Sequence, residues 1–286
     1  MRSLNLIDVS VSDIQYTLRH FPDGQPHIKL LLHDALDGAV NLYTRMSNPD
    51  DFLLALYATQ ALRDSGATDV SLFISYLTTA RMDRNLSFGE AFSLKVTAHL
   101  INCMEYRKVC IFDPHSAVTM ELIERGIAIS NEQFAADVLK DFLEKNTSVQ
   151  VENVVLVAPD KGAVQKISRV AAFMGNIQVI TSQKVRDAES GKLLHFEVHA
   201  NDLTGKTCLI LDDILDSGGT FTGVADILKQ KGATGIIAAV SHGVFSKGYD
   251  LPYVTHIYTT DSFQTHERAP DTVTVLPVMK YLDSGD

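Results

Sequence analysis

The stretch Leu209-Ile210-Leu211-Asp212-Asp213-Ile214-Leu215-Asp216-Ser217-Gly218-Gly219-Thr220 decides how the chain reads. The apolar run Cys208 to Leu211 predicts a buried parallel strand. Two adjacent carboxylates, Asp212 and Asp213, end that run, and the short loop Asp216 to Thr220 follows. Val224, Ile227 and Leu228 then fall on one face of an amphipathic helix. A strand, a loop of small residues and a helix N-terminus together make an anion cradle. Glycines let the backbone come close, N–H groups point at the ligand, and the helix dipole favours a phosphate. Ser217 and Thr220 add hydroxyl donors. Acids just ahead of a phosphate site suit sugar hydroxyls or a phosphate-bound metal ion.

On either side of this stretch, strand and helix patterns alternate. Residues 1–45 are β-rich, with strands expected at Leu4–Val9, Tyr16–Leu18, His27–Leu32 and Val40–Tyr43. Asn48-Pro49 pairs an N-cap with a first-turn proline, opening a helix that stops near Gly66. Strands follow at Val70–Tyr76 and Val109–Phe112, and helices at Glu90–Tyr106 and about Ala117–Arg125. The second half gives a helix at Phe134–Leu143, strands at Val154–Val157 and Ile177–Ile180, and a helix between them ending at Met174. Residues 181–192 are polar and charged, with a turn at Ser190-Gly191, and suit a loop that closes over substrate. Leu194, Phe196 and Val198 alternate with His195, Glu197 and His199, as in a half-exposed strand. Further strands are expected at Ile236–Val240, Val254–Tyr258 and Val273–Leu276.

Alternating βα units argue for parallel sheets with helices on both faces. Gly66-Ala67-Thr68 and Gly232-Ala233-Thr234 each stand between a helix end and an apolar strand, an echo that suggests two copies of one domain. The expected division is 1–130 and 131–286, with the last helix or strand able to pack back on the first domain.

At 286 residues, with 45% hydrophobic residues, the chain has ample material for a packed core. A net charge of −10 argues against non-specific binding to nucleic acid or a membrane surface. An anionic substrate must then be held by local donors and metal. Cys103, Cys110 and Cys208 form no Cys-x-x-Cys and read as reduced core residues of a cytoplasmic protein. No N-terminal apolar region reads as a signal peptide, and no apolar run nears the roughly 20 residues of a membrane span.

Polar groups cluster where strands end, which is where open α/β sheets bind ligands. They are Arg81, Asp83 and Arg84; Asp113 and His115; Asp160 and Lys161; and Asp212, Asp213 and Asp216. Singly, each has a structural explanation: a surface ion pair, a loop cap, a helix N-cap. His195 and His199 share a face but lack a third ligand, so they read as a solvated strand face. The order of these segments resembles the ribose-phosphate pyrophosphokinase family, from about Phe21 to the C-terminus. Phe21-Pro22-Asp23-Gly24-Gln25 resembles the family's Phe-x-Asp-Gly-Glu turn. Ala80-Arg81-Met82-Asp83-Arg84 with Gly89-Glu90, Asp113-Pro114-His115, Pro159-Asp160 and Lys184-x-Arg186 resemble its further motifs, and the opening stretch its phosphoribosyl pyrophosphate-binding motif.

The resemblance implies two tandem type I phosphoribosyltransferase-like α/β domains, each a mainly parallel sheet flanked by helices, and homo-oligomers built from dimers. It implies transfer of the β,γ-pyrophosphoryl group of Mg-ATP to the 1-hydroxyl of ribose 5-phosphate. Asp23, Gly24, Gln25, Arg81, Met82, Asp83 and His115 would then bind ATP. His115 and Asp160 would hold Mg²⁺. Lys184 and Arg186 would stabilise the transferring group. Asp212, Asp213, Asp216, Ser217, Gly218, Gly219 and Thr220 would bind ribose 5-phosphate. The sequence departs from the family at Gln25 (usually Glu), Met82 (usually Gln) and Ala163 (usually Gly). Met82 removes a polar side chain from the nucleotide site. A phosphoribosyltransferase, or a catalytically inactive regulatory subunit of the synthetase, stays open beside the main reading.

Overall fold

The structure is a computed structural model and describes residues 1–85, 87–187 and 193–283. It divides into two compact units, Met1–Ser130 with Val278–Asp286, and Asn131–Pro277.

The first unit runs β1 (Arg2–Asn5), β2 (Tyr16–His20), β3 (Pro26–Leu30), β4 (Gly38–Met46), α1 (Pro49–Asp64), β5 (Ala67–Leu77), α2 (Ser93–Asn102), β6 (Val109–Phe112), α3 (Ala117–Leu122) and β7 (Gly126–Ile129). A parallel sheet has the order β1-β4-β5-β6-β7, and β2 and β3 pair apart from it as an antiparallel hairpin. Asn48 caps α1 by accepting from Asp51 N–H at 3.0 Å, with Pro49 in the first turn. The buried face of α1, with Phe52, Ala55 and Leu62, joins Leu42, Leu72 and Ile74 in one core. Phe73, next along β5, points to the opposite face and stacks on Tyr43.

The second unit runs α4 (Glu132–Lys145), β8 (Val154–Ala158), α5 (Val164–Phe173), β9 (Val179–Arg186), β10 (Leu193–Val198), β11 (Thr207–Leu215), α6 (Gly219–Gln230), β12 (Gly235–Gly243), β13 (His256–Thr260) and β14 (Val273–Leu276). Its sheet has the order β10-β9-β8-β11-β12-β13-β14, parallel except where β10 meets β9. The remaining helix, α7 (Met279–Leu282), belongs to the first unit, where Tyr281 stacks on Phe112 and Tyr43 donates its hydroxyl to Asp283.

The two sheets repeat one plan. β1-β4-β5-β6-β7 corresponds to β8-β11-β12-β13-β14, with a hairpin inserted after the first strand of each. The echoed Gly-Ala-Thr segments stand at the same place in both. Gly66 and Gly232 take φ of +102° and +90° to turn α1 into β5 and α6 into β12. A Cβ on Gly66 would collide with the Leu36 carbonyl oxygen.

Several sequence expectations are corrected. The helix expected at Glu90–Tyr106 is only Ser93–Asn102, because Phe92 is not helical (ψ 77°) and Glu105 takes φ +47°. The helix from Ala117 ends at Leu122. Ile123 is extended there and Arg125 has φ +55°, so Gly126–Ile129 forms β7, an edge strand the sequence reading lacked. The strand expected at Leu4–Val9 is Arg2–Asn5, since Asp8 caps a short 3-10 turn at Val9–Val11. Cys103 is not a core residue. It lies just past α2, exposed, with Sγ 3.7 Å from His99 Nε2, whereas Cys110 and Cys208 are buried.

Candidate active site

The β11–α6 connection opens the site. β11 does not stop at Leu211. Asp212 and Ile214 keep their register with Val240 and His242 of β12, so the strand carries both acids to Leu215. The pairing with β8 ends at Ile210, which leaves the far side of Asp212 and Asp213 outside that ladder. Gly218 takes φ +78° and caps α6 without any side-chain hydrogen bond. In the first unit the Asn48 side chain caps the equivalent helix, α1, whereas the residue at that place before α6 is a glycine, which has no side chain to offer. A Cβ on Gly218 would strike Leu251 Cδ2, whereas one on Gly219 would meet nothing within 4 Å. Gly218 therefore faces protein and Gly219 faces open space.

Asp213 is 6% exposed and Asp212 half-buried. Burial pushes the Asp212 carboxyl well above its ordinary 3.8. The Asp213 charge, a hydrogen bond with that carboxyl and the Asp160 charge push the same way, against the Asp213 N–H donated to Oδ1 at 3.0 Å. Below the ordinary carboxylate range, both folded and unfolded chains hold this proton. As pH rises through the raised value, the fold must ionise an acid, set beside the Asp213 and Asp160 charges, that the unfolded chain ionised earlier, so stability falls. Asp212→Asn is expected to raise the melting temperature at pH 7 by roughly 2–4 °C, the shift that 1 kcal/mol makes in a chain of this size. It should also flatten the stability profile above about pH 4. Thermal melts of both proteins across pH check this, and a lower melting point in the variant would overturn it.

Asp160 stands after β8, the sheet neighbour of β11. Its Oδ1 accepts from the N–H of Gly162 (3.0 Å) and Ala163 (3.2 Å), shaping the loop into α5. Its Oδ2 lies 3.4 Å from Lys184 Nζ. Lys184 is on β9, not on a loop. The strand expected to end at Ile180 continues to Arg186 because β10 pairs with it from Ser182 to Arg186. The side chain of Arg186 and the expected turn at Ser190-Gly191 lie outside the described residues. Asp160 just after β8, Lys184 on β9, and Asp212–Thr220 from the end of β11 into α6 thus belong to three neighbouring strands, ordered β9-β8-β11, of one sheet. On the other face of the hairpin, Gln183 Nε2 donates to Glu197 (2.6 Å) and His195 Nε2 lies 3.3 Å from Glu197. Among the described residues, no group of three or more His, Cys, Asp or Glu is arranged to hold a metal ion by protein donors alone.

The other candidates belong to the first unit. Asp23, Gly24 and Gln25 form the β2–β3 turn, where Gly24 takes φ +89° and Asp23 Oδ1 accepts from Gln25 N–H. Arg81, Met82 and Asp83 follow β5. Met82 N–H donates to Thr79, whose φ is +68°, and Asp83 pairs with Arg84 at 3.6 Å. His115 is exposed after β6, the parallel neighbour of β5, so these two loops leave the same end of the sheet. Ahead of it Asp113 is 2% exposed with φ +41°, a costly conformation for a non-glycine residue. Its sequence gave no sign of that strain.

The sequence profile of the phosphoribosyl transferase domain matches residues 128–276. The ribose-phosphate pyrophosphokinase of Pyrococcus abyssi is 30% identical over 246 residues, 85% of this chain and 79% of that protein. The chain belongs to the ribose-phosphate pyrophosphokinase family. The Pyrococcus furiosus ribose-phosphate pyrophosphokinase is 28% identical over 237 residues, covering 81% of this chain and 78% of the relative. The phosphoribosylpyrophosphate synthetase structure from Mycobacterium smegmatis superposes with a TM-score of 0.78 at 20% identity, over 96% of this chain and 90% of that one. That likeness shows the fold: two tandem type I phosphoribosyltransferase-like domains. Family membership makes the chain an enzyme of the pyrophosphoryl-transferring class. Among the described residues no helix is long and apolar enough to cross a membrane.

Proposed function

We propose that the protein transfers the β,γ-pyrophosphoryl group of Mg-ATP to ribose 5-phosphate, giving phosphoribosyl pyrophosphate and AMP. One observation carries this reading. In a chain of this family, the Gly218-Gly219 start of α6 lies at the end of the acid-bearing strand β11, and the Lys184–Asp160 pair stands on the strands next to it in the sheet, β9 and β8.

The 5-phosphate is held by the backbone and hydroxyls of Asp216 to Thr220. Asp212 and Asp213 accept hydrogen bonds from the ribose hydroxyls and fix the sugar's orientation. The 1-hydroxyl oxygen bonds to the β-phosphorus, the bond from that phosphorus to the α,β-bridging oxygen breaks, and AMP leaves with the bridging oxygen. The hydroxyl proton passes to solvent. Lys184 meets negative charge that grows on the transferring group, with Arg186 as its partner in the role. Asp23, Gly24, Gln25, Arg81, Met82, Asp83 and His115 are assigned to ATP by family likeness. Mg²⁺ bound with the nucleotide would supply neutralising charge for its phosphate oxygens. By family likeness alone, His115 of the first unit and Asp160 of the second would each be a protein ligand of that ion. The protein acts in the cytoplasm as a dimer or larger homo-oligomer.

Phosphorus NMR of the protein with ATP, ribose 5-phosphate and Mg²⁺ tests the reaction. AMP together with a diphosphate on ribose C1 is the expected result. Intact ATP, and intact alternative nucleoside triphosphates, would overturn the assignment.

A further inference from the structure

Phe196 of β10 is the residue directly opposite Lys184 in the antiparallel β9–β10 ladder. Opposed residues of such a ladder point to the same face of the sheet and lie close together, so a shift of one carries the other. The neighbouring pair, Gln183 with Glu197, points to the opposite face and is joined by its own hydrogen bond. The ring of Phe196 rests on Gly223 of α6. A Cβ built on Gly223 would sit 2.9 Å from Phe196 Cζ and closer still to Cδ2 and Cε2. Glycine is a poor helix former, and one inside a helix calls for a packing reason. Here only glycine lets the ring edge reach the helix backbone. Gly223 lies one turn beyond Gly219, so the helix that presents the phosphate cradle also seats Phe196.

We infer that Phe196 is a positioning residue. Seated on Gly223, it sets the distance from Lys184 to the phosphate cradle of α6. A cavity at 196 or a methyl at 223 lets the hairpin shift, and Lys184 moves with it while the cradle stays. This inference rests on the reaction proposed above for its kinetic consequence but not for its geometry.

The test uses Phe196→Ala and Gly223→Ala in the full chain, below the melting temperature of each. Both should lower kcat by about 10- to 100-fold, the cost of a small misplacement of a catalytic group, with KM for ribose 5-phosphate within about threefold of normal. In a Lys184→Ala background, Phe196→Ala should cost less than about twofold more, because the positioned group is already gone. An equal fold-loss in both backgrounds would make Phe196 merely structural and overturn the inference. A second readout needs no turnover: the rate at which acetic anhydride labels Lys184, read by mass spectrometry. Labelling should rise in Phe196→Ala about as much as in Asp160→Asn, which removes the ion-pair partner. A rise in Asp160→Asn alone would overturn the inference. If the wild-type protein made no AMP, the proposed reaction would fall, and the labelling result would decide the positioning by itself.

Discussion

Replacing Lys184 by alanine is expected to lower kcat by about 100-fold or more while leaving the melting temperature almost unchanged. The two halves of that expectation have separate causes. Lys184 and Asp160 are 3.4 Å apart, with side chains 26% and 38% exposed. An ion pair so accessible to water contributes about 0–1 kcal/mol to stability. In the proposed reaction the same ammonium would meet developing charge in the transition state, where one lost electrostatic stabiliser costs about 10²–10³ in kcat. Steady-state AMP release and thermal melts of the same preparation check both halves. A near-normal kcat would remove Lys184 from the mechanism. A collapse in melting temperature would make the kinetic loss uninterpretable as catalysis and show the pair to be structural.

Gly218→Ala is expected to damage both fold and binding, whereas Gly219→Ala damages binding alone. Alanine at φ +78° costs about 1–2 kcal/mol. Its methyl would also strike Leu251, a further cost of about 1–3 kcal/mol. Together these remove a large share of the roughly 5–15 kcal/mol that holds a folded domain. Gly219 has open space where its Cβ would stand. Alanine there fits the protein but projects toward the ligand, so ribose 5-phosphate should bind about tenfold or more weakly, a loss of about 1.4 kcal/mol. Urea unfolding and titration calorimetry of the two variants separate the effects. Unchanged ribose 5-phosphate affinity in Gly219→Ala would mean that the phosphate lies elsewhere.

Much of this architecture is local in origin and therefore readable along the chain. The apolar runs at Val109–Phe112 and Val154–Val157, the Asn48-Pro49 start of α1 and the Gly-Ala-Thr junctions are short-range patterns, and each element stands within a residue of where its pattern put it. The Gly218-Gly219 loop is the same kind of signal, since left-handed backbone and close approach both call for glycine. Other features depend on partners distant in sequence. Polar Ser182 to Arg186 reads as loop, yet becomes strand because β10 supplies its hydrogen bonds. The acids Asp212 and Asp213 look like a strand end, yet β12 carries the strand past them. Cys103 has an ordinary core residue's neighbours in sequence, yet it continues the face of α2 that carries Val96, His99 and Leu100, and that face meets solvent.

The two-fold βα plan, the Gly218-Gly219 loop and the family were legible along the chain, because glycine conformation, helix starts and apolar periodicity act over a few residues. The tertiary structure alone decided that Lys184 faces Asp160, that Phe196 sits on Gly223 and that Asp212 holds its proton tightly. Each of those depends on distance and burial between strands, which no local pattern encodes.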